Sequence, residues 1–329
     1  MAHRFNITAF AVLVIILCAA RPVQAQENQS YAVSLSPLFG MVHGHAEELV
    51  YPGEETKAPL LSQLLWNMKP VLYYGFSLDL SQINQRERWG YFVNFSMKYG
   101  IPGISGIHEN RDWQSVQNAS LTDFSRHDNH TMEMFLLNAR AGLSFPLRRV
   151  MLLKVFADVS FMCFSFAGMD GYGIYARKIS EGYYHPFDDN PVREDFSGKK
   201  VISYTQEWLT FSPGVSFGYF FHRNFLAELA FLASPLVLCS DLDEHKRPVD
   251  KQFRGYMRGG LLIEPGMKLS FAAAKWLDIS CELSWRHISG TKGPAYMKSP
   301  IGMGTWGPGG EAGVGLSIVN TSLALKIKL

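Results

Sequence analysis

The chain has 329 residues, 47% of them hydrophobic and 13% aromatic, with 29 glycines and a formal net charge of only +2. That balance gives no electrostatic case for a nucleic-acid partner, and no apolar run beyond residue 25 reaches the roughly eighteen residues that a helical membrane span needs. Beyond residue 25 the cysteines, Cys163, Cys239 and Cys281, are widely spaced and fall on apolar phases, so they read as small apolar residues; neither a disulfide framework, a metal nor a cofactor is indicated.

In chain order, His3 and Arg4 precede an apolar run over 8–20, and Val23-Gln24-Ala25 has the small residues of a signal-peptidase site. Residues 1–25 therefore read as a secretory signal cut after Ala25. Leu17 stands directly before Cys18, where a lipoprotein signal wants a small residue, so no lipid anchor is expected. The mature domain is 26–329. Its dominant period is two. Leu72, Tyr74, Phe76, Leu78 and Leu80 share one face, as do Trp89, Tyr91, Val93, Phe95, Met97 and Tyr99 against Asn94, Ser96 and Lys98. The odd positions from Leu153 to Cys163 and from Leu277 to Trp285 repeat the pattern, and the chain closes on Leu323, Leu325, Ile327 and Leu329 against Lys326 and Lys328. No helical stripe is sustained.

Ten strands are expected, over 31–43, 60–80, 89–99, 131–145, 151–169, 204–221, 225–239, 253–272, 277–289 and 310–329. Short polar turns fall near 81–88, 146–149, 222–224 and 274–276, and long connections near 42–59, 100–130, 171–203, 240–252 and 290–309. The fold class is all-β: a ten-stranded antiparallel transmembrane β-barrel with long extracellular loops. Several runs exceed the ~9–11 residues that cross a bilayer, so the barrel should rise above the membrane on its long-loop side. Pro70, Pro213 and Pro265 inside runs, and the move of the apolar phase from Val314, Leu316 and Ile318 to Val319 and Leu323, predict bulges or register breaks. A secreted β-sandwich would also alternate, but polar opposite faces with aromatic-rich ends fit lipid outside and water inside better.

The densest chemistry is Cys239-Ser240-Asp241-Leu242-Asp243-Glu244-His245. In an extended segment Asp243 and His245 project to one side, and the acid raises the basicity of the imidazole, as a general base near neutral pH requires. The plain alternative is a solvated loop tip.

Ser240-Asp241-Leu242-Asp243-Glu244-His245, Arg111-Asp112-Trp113 and Thr122-Asp123-Phe124-Ser125-Arg126-His127 together resemble the omptin family of outer-membrane proteases. Glu48-Leu49-Val50-Tyr51, Leu61-Ser62-Gln63-Leu64, Ile202-Ser203-Tyr204-Thr205-Gln206 and Thr291-Lys292-Gly293 extend the resemblance over most of the mature chain. It implies an aspartyl-type endopeptidase site in a groove at the extracellular rim, where an Asp–His couple faces an Asp–Asp couple and a water between them attacks the scissile carbonyl. By position, Asp243 and His245 are the couple on the fourth loop and Asp112 is one of the opposing pair, while Asn110 stands where the other Asp would be. Glu48 and Asp241 occupy the positions that line a pocket for a basic side chain, which implies cleavage after Arg or Lys. Asp123 and Ser125 take supporting places. Asn110 can hold the water through its amide but cannot change protonation state, so reduced but measurable activity is expected.

The resemblance further implies peptide or protein substrates with basic residues, a monomer, and residence in the outer membrane of a Gram-negative-type cell with the site facing outside. Lipopolysaccharide is the family's lipid partner, but Val159-Ser160-Phe161-Met162-Cys163-Phe164 has no charged side chain; Arg177, Lys178, Lys251 and Arg254 near the rim are the alternative contacts for anionic lipid. Asn110 leaves a second reading open, a catalytically weakened barrel that serves as an adhesin or binding protein through its loops.

Overall fold

The computed structural model describes residues 29–52, 58–84, 89–148, 150–246, 251–298 and 306–329. The signal reading of residues 1–25 lies outside the described residues. Among those described there is no helix, and sixteen strands: β1 (Gln29–Tyr51), β2 (Ser62–Asn84), β3 (Trp89–Gly100), β4 (Gly103–Asp112), β5 (Asp123–Arg148), β6 (Met151–Tyr175), β7 (Lys178–Ser180), β8 (Tyr183–Tyr184), β9 (Val192–Asp195), β10 (Lys200–His222), β11 (Phe225–Ser234), β12 (Leu236–His245), β13 (Lys251–Arg258), β14 (Leu261–Ala274), β15 (Leu277–Lys298) and β16 (Trp306–Lys328). β7 and β8 form a separate hairpin, and the rest make one antiparallel sheet. Around it run β1, β2, then β3 with β4, then β5, β6, β10, β11 with β12, β14 with β13, β15 and β16. β16 returns to β1, so the sheet closes into a barrel, and β9 lengthens the ladder on β6.

Three places in the ring hold two segments in succession. The run expected over 225–239 breaks at Pro235, and that over 253–272 at Gly259 and Gly260, both at positive φ. A Cβ on Gly260 would stand 2.4 Å from the Ser289 carbonyl oxygen, so only glycine fits there. The loop expected over 100–130 contains β4 and the start of β5. Elsewhere on this rim strands continue to Tyr51, Tyr175, His245 and Lys298, so much of the sequence expected in long loops is ladder. The polar outward faces of these extensions resemble loop sequence, which is why alternation of hydrophobicity fades there.

The expected irregularities divide. Pro70 lies where β2 gains a residue against β1, between Val71 opposite Val42 and Met68 opposite Gly44. Pro213 opposite Ala157 and Pro265 opposite Phe231 sit in unshifted ladders. Each lies where its other neighbour's pairing lapses: β10 passes from β12 to β11, and the β14–β15 ladder skips Glu264 and Pro265, so the missing N–H forfeits no bond. Where its apolar phase moves, the last strand has no bulge, since β16 keeps one register against β1 from Lys328 opposite Ser34 to Glu311 opposite Tyr51; it gains a residue against β15 only nearer its start, between Pro308 opposite Tyr296 and Gly310 opposite Ala295.

Its apolar phase moves because its surroundings change. Val314, Leu316 and Ile318 point into the barrel and are buried, whereas nearer the turn rim Asn320 and Ser322 point in and Val319, Leu323, Leu325 and Ile327 are exposed outside. The inversion runs around the ring. Toward the long-connection rim the lumen is plugged by Trp66, Trp208, Tyr204, Phe164, Phe166 and Met68, each large apolar side chain contributing about 1.5–3 kcal/mol by burial. Toward the turn rim the lumen holds a polar cavity of about 220 Å³ with Arg140, Lys154, Glu228, Glu264 and Arg286 among its lining residues. Arg140 pairs with Asp158, Lys154 with Glu228 and Arg286 with Glu264, as charges enclosed by protein require. Outside that half, Phe39, Leu72, Phe217 and Leu229 form an exposed apolar band. An apolar band around a polar lumen is the arrangement of a membrane-spanning barrel.

Candidate functional site

The site occupies the inward faces of β1, β4, β5, β10 and β12 where they rise past the plug. On β12, Asp241, Asp243 and His245 are two apart and share the inward face, while Leu242 and Glu244 turn outward. The acidic stretch is therefore a strand end and not the fourth loop, and it pairs with β10 through Ile202 opposite His245, Tyr204 opposite Asp243 and Gln206 opposite Asp241. On β1 the pleat splits two neighbouring acids: Glu47 accepts a bond from Gln63 at 2.7 Å, whereas Glu48 points inward and is 4% exposed. Across the β4–β5 ladder Asp112 faces Asp123 and Asn110 faces Ser125, so the four residues form one wall.

His245 Nε2 stands 2.6 Å from Asp243 Oδ2. Held by a carboxylate, Nε2 keeps its hydrogen and Nδ1 is left as the acceptor. Burial acts to lower the imidazole's pKa, but the charge and hydrogen bond of Asp243, with Asp112 on the opposite wall, outweigh it and raise it. Asp112 is itself raised by burial, against a hydrogen bond from Ser62, the attraction of His245 and the amide of Asn110, whose Nδ2 lies 3.3 Å from Asp112 Oδ2. Burial and the facing Asp112 push Asp123 up to about 7, against the hydroxyl of Thr122 at 3.0 Å.

Beside this couple lies a cluster of buried carboxyls. Asp241 accepts the Tyr204 hydroxyl at 3.0 Å and the Gly255 N–H at 2.7 Å, and burial outweighs both donors to bring its carboxyl to about 7. Tyr204 accepts Gln206 Nε2–H at 2.8 Å, and Gln206 Oε1 accepts the Trp208 indole N–H at 3.1 Å. Indole nitrogen only donates, so the amide's orientation is fixed and the Tyr204 proton is directed at Asp241. Glu48 Oε2 and Asp243 Oδ1 are buried without a hydrogen-bond partner. Burial, then Asp243 and Asp241, hold the Glu48 carboxyl well above the usual carboxylate range. An Arg or Lys side chain entering here would bring both the charge and the donors that these oxygens lack.

Thus the structure brings Asp243 and His245 into contact, buries Glu48 and Asp241 close enough for their charges to act on each other, and gathers Asn110, Asp112, Asp123 and Ser125 on the facing wall. Sequence reasoning missed the roles of Tyr204 and Gln206, quoted only as a strand motif. It also missed His108 and quoted His127 only as the end of a motif; the two rings stack at 5.7 Å beneath the wall, His108 lying on Trp66 at 3.8 Å. Their signal was available as the i, i+2, i+4 spacing of His108, Asn110 and Asp112. Of the basic residues expected near lipid, Arg177 is exposed, Lys178 pairs with Glu181 at 2.6 Å, and Lys251 and Arg254 lie on β13. Cys163 and Cys239 are buried and Cys281 is exposed on the outer face; all are free.

Fold and site define an outer-membrane type of β-barrel that carries a cluster of acids with a histidine toward one rim. The sequence profile of the Omptin family matches residues 29–326, and the chain belongs to that family. Among solved structures it is similar to the outer membrane protease OmpT from Escherichia coli, with TM-score 0.79 and 19% identity over 93% of this chain and 100% of that one. Looser likenesses are to the translocator domain of the autotransporter NalP from Neisseria meningitidis (TM-score 0.34, 8% identity, 98% and 95% covered) and the transport unit of the autotransporter AIDA-I from Escherichia coli (0.35, 10%, 97% and 97%). Comparison with curated proteins finds no match.

Proposed function

We propose that the protein is an outer-membrane endopeptidase that cuts peptide bonds after Arg or Lys, its cleft facing outside the cell and the mature chain beginning at Gln26. The observation that carries this reading is the 2.6 Å contact of His245 with Asp243, which leaves Nδ1 of the ring free to accept, with the charge of Asp112 acting on the same ring. A water held between Nδ1 and Asp112 gives its proton to His245 as its oxygen attacks the scissile carbonyl carbon. The ring later returns that proton to the leaving amine. Glu48 and Asp241 seat the basic side chain, Asn110 orients Asp112, and Ser125 supports Asn110 across the ladder without acting as nucleophile. Membership of the Omptin family supports the protease class. Arg177 and Arg254 are suited to anionic lipid, whereas Lys251, opposite His245 in the β12–β13 ladder, shares its inward face, and the barrel acts as a monomer.

The test is to incubate the purified barrel in detergent or lipid with a peptide library and map the cut bonds. Cleavage after Arg and Lys is the expected result. Cutting without basic preference would refute the pocket assignment, and no cutting at all would leave the binding-barrel reading in its place.

A further inference from the structure

Asn110 cannot gain or lose a proton. Its amide is engaged with neighbours: Ser62 donates to Oδ1 at 3.2 Å, and Nδ2 donates to Asp112 Oδ2 at 3.3 Å. It therefore orients Asp112 and shares no proton with it. A carboxyl that can share one stands on the next strand. Asp123 faces Asp112 across the β4–β5 ladder, where facing Cβ atoms are about 4.5–5.5 Å apart. The Thr122 hydroxyl lies 3.0 Å from both Asp123 Oδ2 and the main-chain oxygen of Asp112, which ties the two together.

Two carboxyls so placed do not both ionise readily. Asp112 has the Asn110 amide as donor and His245 opposite, whereas Asp123 has the Thr122 hydroxyl, so the charge settles on Asp112 and the proton on Asp123. The surroundings do not reverse this. Tyr175, opposite Asp123 on β6, and Tyr184 of the β7–β8 hairpin are both held neutral because burial raises their hydroxyls. Arg111 and Arg126 of the same two strands turn to Glu109 on the outer face.

We propose that Asp123 is a catalytic acid of this enzyme: paired with Asp112 across the ladder, it supplies the proton-bearing carboxyl that Asn110 cannot. This rests on the peptidase reading above. As the water oxygen bonds to the carbonyl carbon, the water's proton goes to His245 Nδ1 and the carbonyl oxygen takes the Asp123 proton, giving a neutral gem-diol. On collapse a gem-diol hydroxyl returns its proton to Asp123, the C–N bond breaks with its electron pair on nitrogen, and that nitrogen takes the proton from His245. Acid, amine and the starting enzyme are restored.

The experiment compares the native protein with Asp123→Asn, Asn110→Asp and the double variant, on one peptide with a single Arg. Asp123→Asn is expected to cut kcat about 100-fold with KM held, and Asn110→Asp in that background to recover most of the loss by moving the acid to the other side of Asp112. The second readout needs no turnover: carboxyl infrared difference spectra across neutral pH should lose one carboxyl titrating near pH 7 in Asp123→Asn and show it moved to lower pH in Asp112→Asn. Native speed in Asp123→Asn, a double variant as slow as Asp123→Asn, or an unchanged carboxyl titration would each overturn the proposal while leaving the peptidase reading intact. A native protein that cuts nothing would overturn both.

Discussion

Gln206 on β10 donates its side-chain N–H to the main-chain oxygen of Glu47 on β1 at 2.9 Å, although the two strands are not neighbours in the ring. The bond crosses the lumen. It joins the wall that carries Glu48 to the wall that carries Asp241, and the same amide fixes the Tyr204 hydroxyl on Asp241. Gln206→Ala would leave the buried Trp208 N–H unpaired and free the Tyr204 hydroxyl to turn. The expected outcome is a stability loss of about 1–3 kcal/mol in denaturant melts, together with a higher KM for basic peptides at nearly constant kcat. A stability loss with KM unmoved would reduce the bridge to a purely structural tie.

Glu48 ties stability to pH in the direction opposite to a salt-bridged acid. Its folded pKa is raised by burial, so the native state holds a proton that the unfolded chain releases above about pH 4.3. Stability then falls as pH rises from that value toward the folded pKa. Glu48→Gln cannot ionise and should melt higher than the native protein at pH 8 and together with it at pH 4. The same substitution should weaken Arg-peptide binding, raising KM by about tenfold or roughly 1.4 kcal/mol. Equal melting curves at pH 8 would show that folding does not raise the Glu48 carboxyl.

The period of two was legible because lipid on one side and water on the other impose it on every membrane-spanning strand. It failed in the upper wall, where both faces carry polar residues; β4 was therefore hidden inside an expected loop. The Asp243–His245 contact was legible because two residues of one strand make it. The Gln206–Glu47 bond was not, because its partners lie 159 positions apart. Nor was the pairing of Asp112 with Asp123, which depends on a ladder register that no local pattern encodes. The expected bulge in the last strand misread a change of environment as a change of register.

That change of environment is itself testable. Leu323 faces outward in the apolar band, and Leu242 faces outward above it. Leu323→Arg should cost about 2–4 kcal/mol of folding stability in bilayers if it lies near the midplane, whereas Leu242→Arg should fold nearly as well as the native chain. The difference between heated and unheated mobility on gels, followed during folding into vesicles, reads both. Equal folding yields for the two variants would place the membrane boundary wrongly.

Asp243→Asn tests the couple at the centre of the proposed chemistry. The pKa of His245 is raised by Asp243, so the neutral ring that acts as base forms only above the ordinary imidazole value of about 6.5. The acidic limb of kcat/KM should therefore lie above that pH in the native protein. With Asn at 243 the attraction is gone and the ring's pKa falls, so the limb should move to lower pH. The plateau should fall as well, by about 10²–10⁴-fold, because the imidazole has lost the partner that directs Nδ1 at the water. Stability follows the same linkage: a histidine with a raised folded pKa contributes stability that is full below about pH 6.5 and is lost as pH rises through the folded value. Asp243→Asn should flatten that slope in melts across neutral pH, and His245→Ala should remove both the slope and the activity. If the acidic limb stays in place in Asp243→Asn, the group that governs it is not His245 paired with Asp243, and the general base must be sought elsewhere in the cleft.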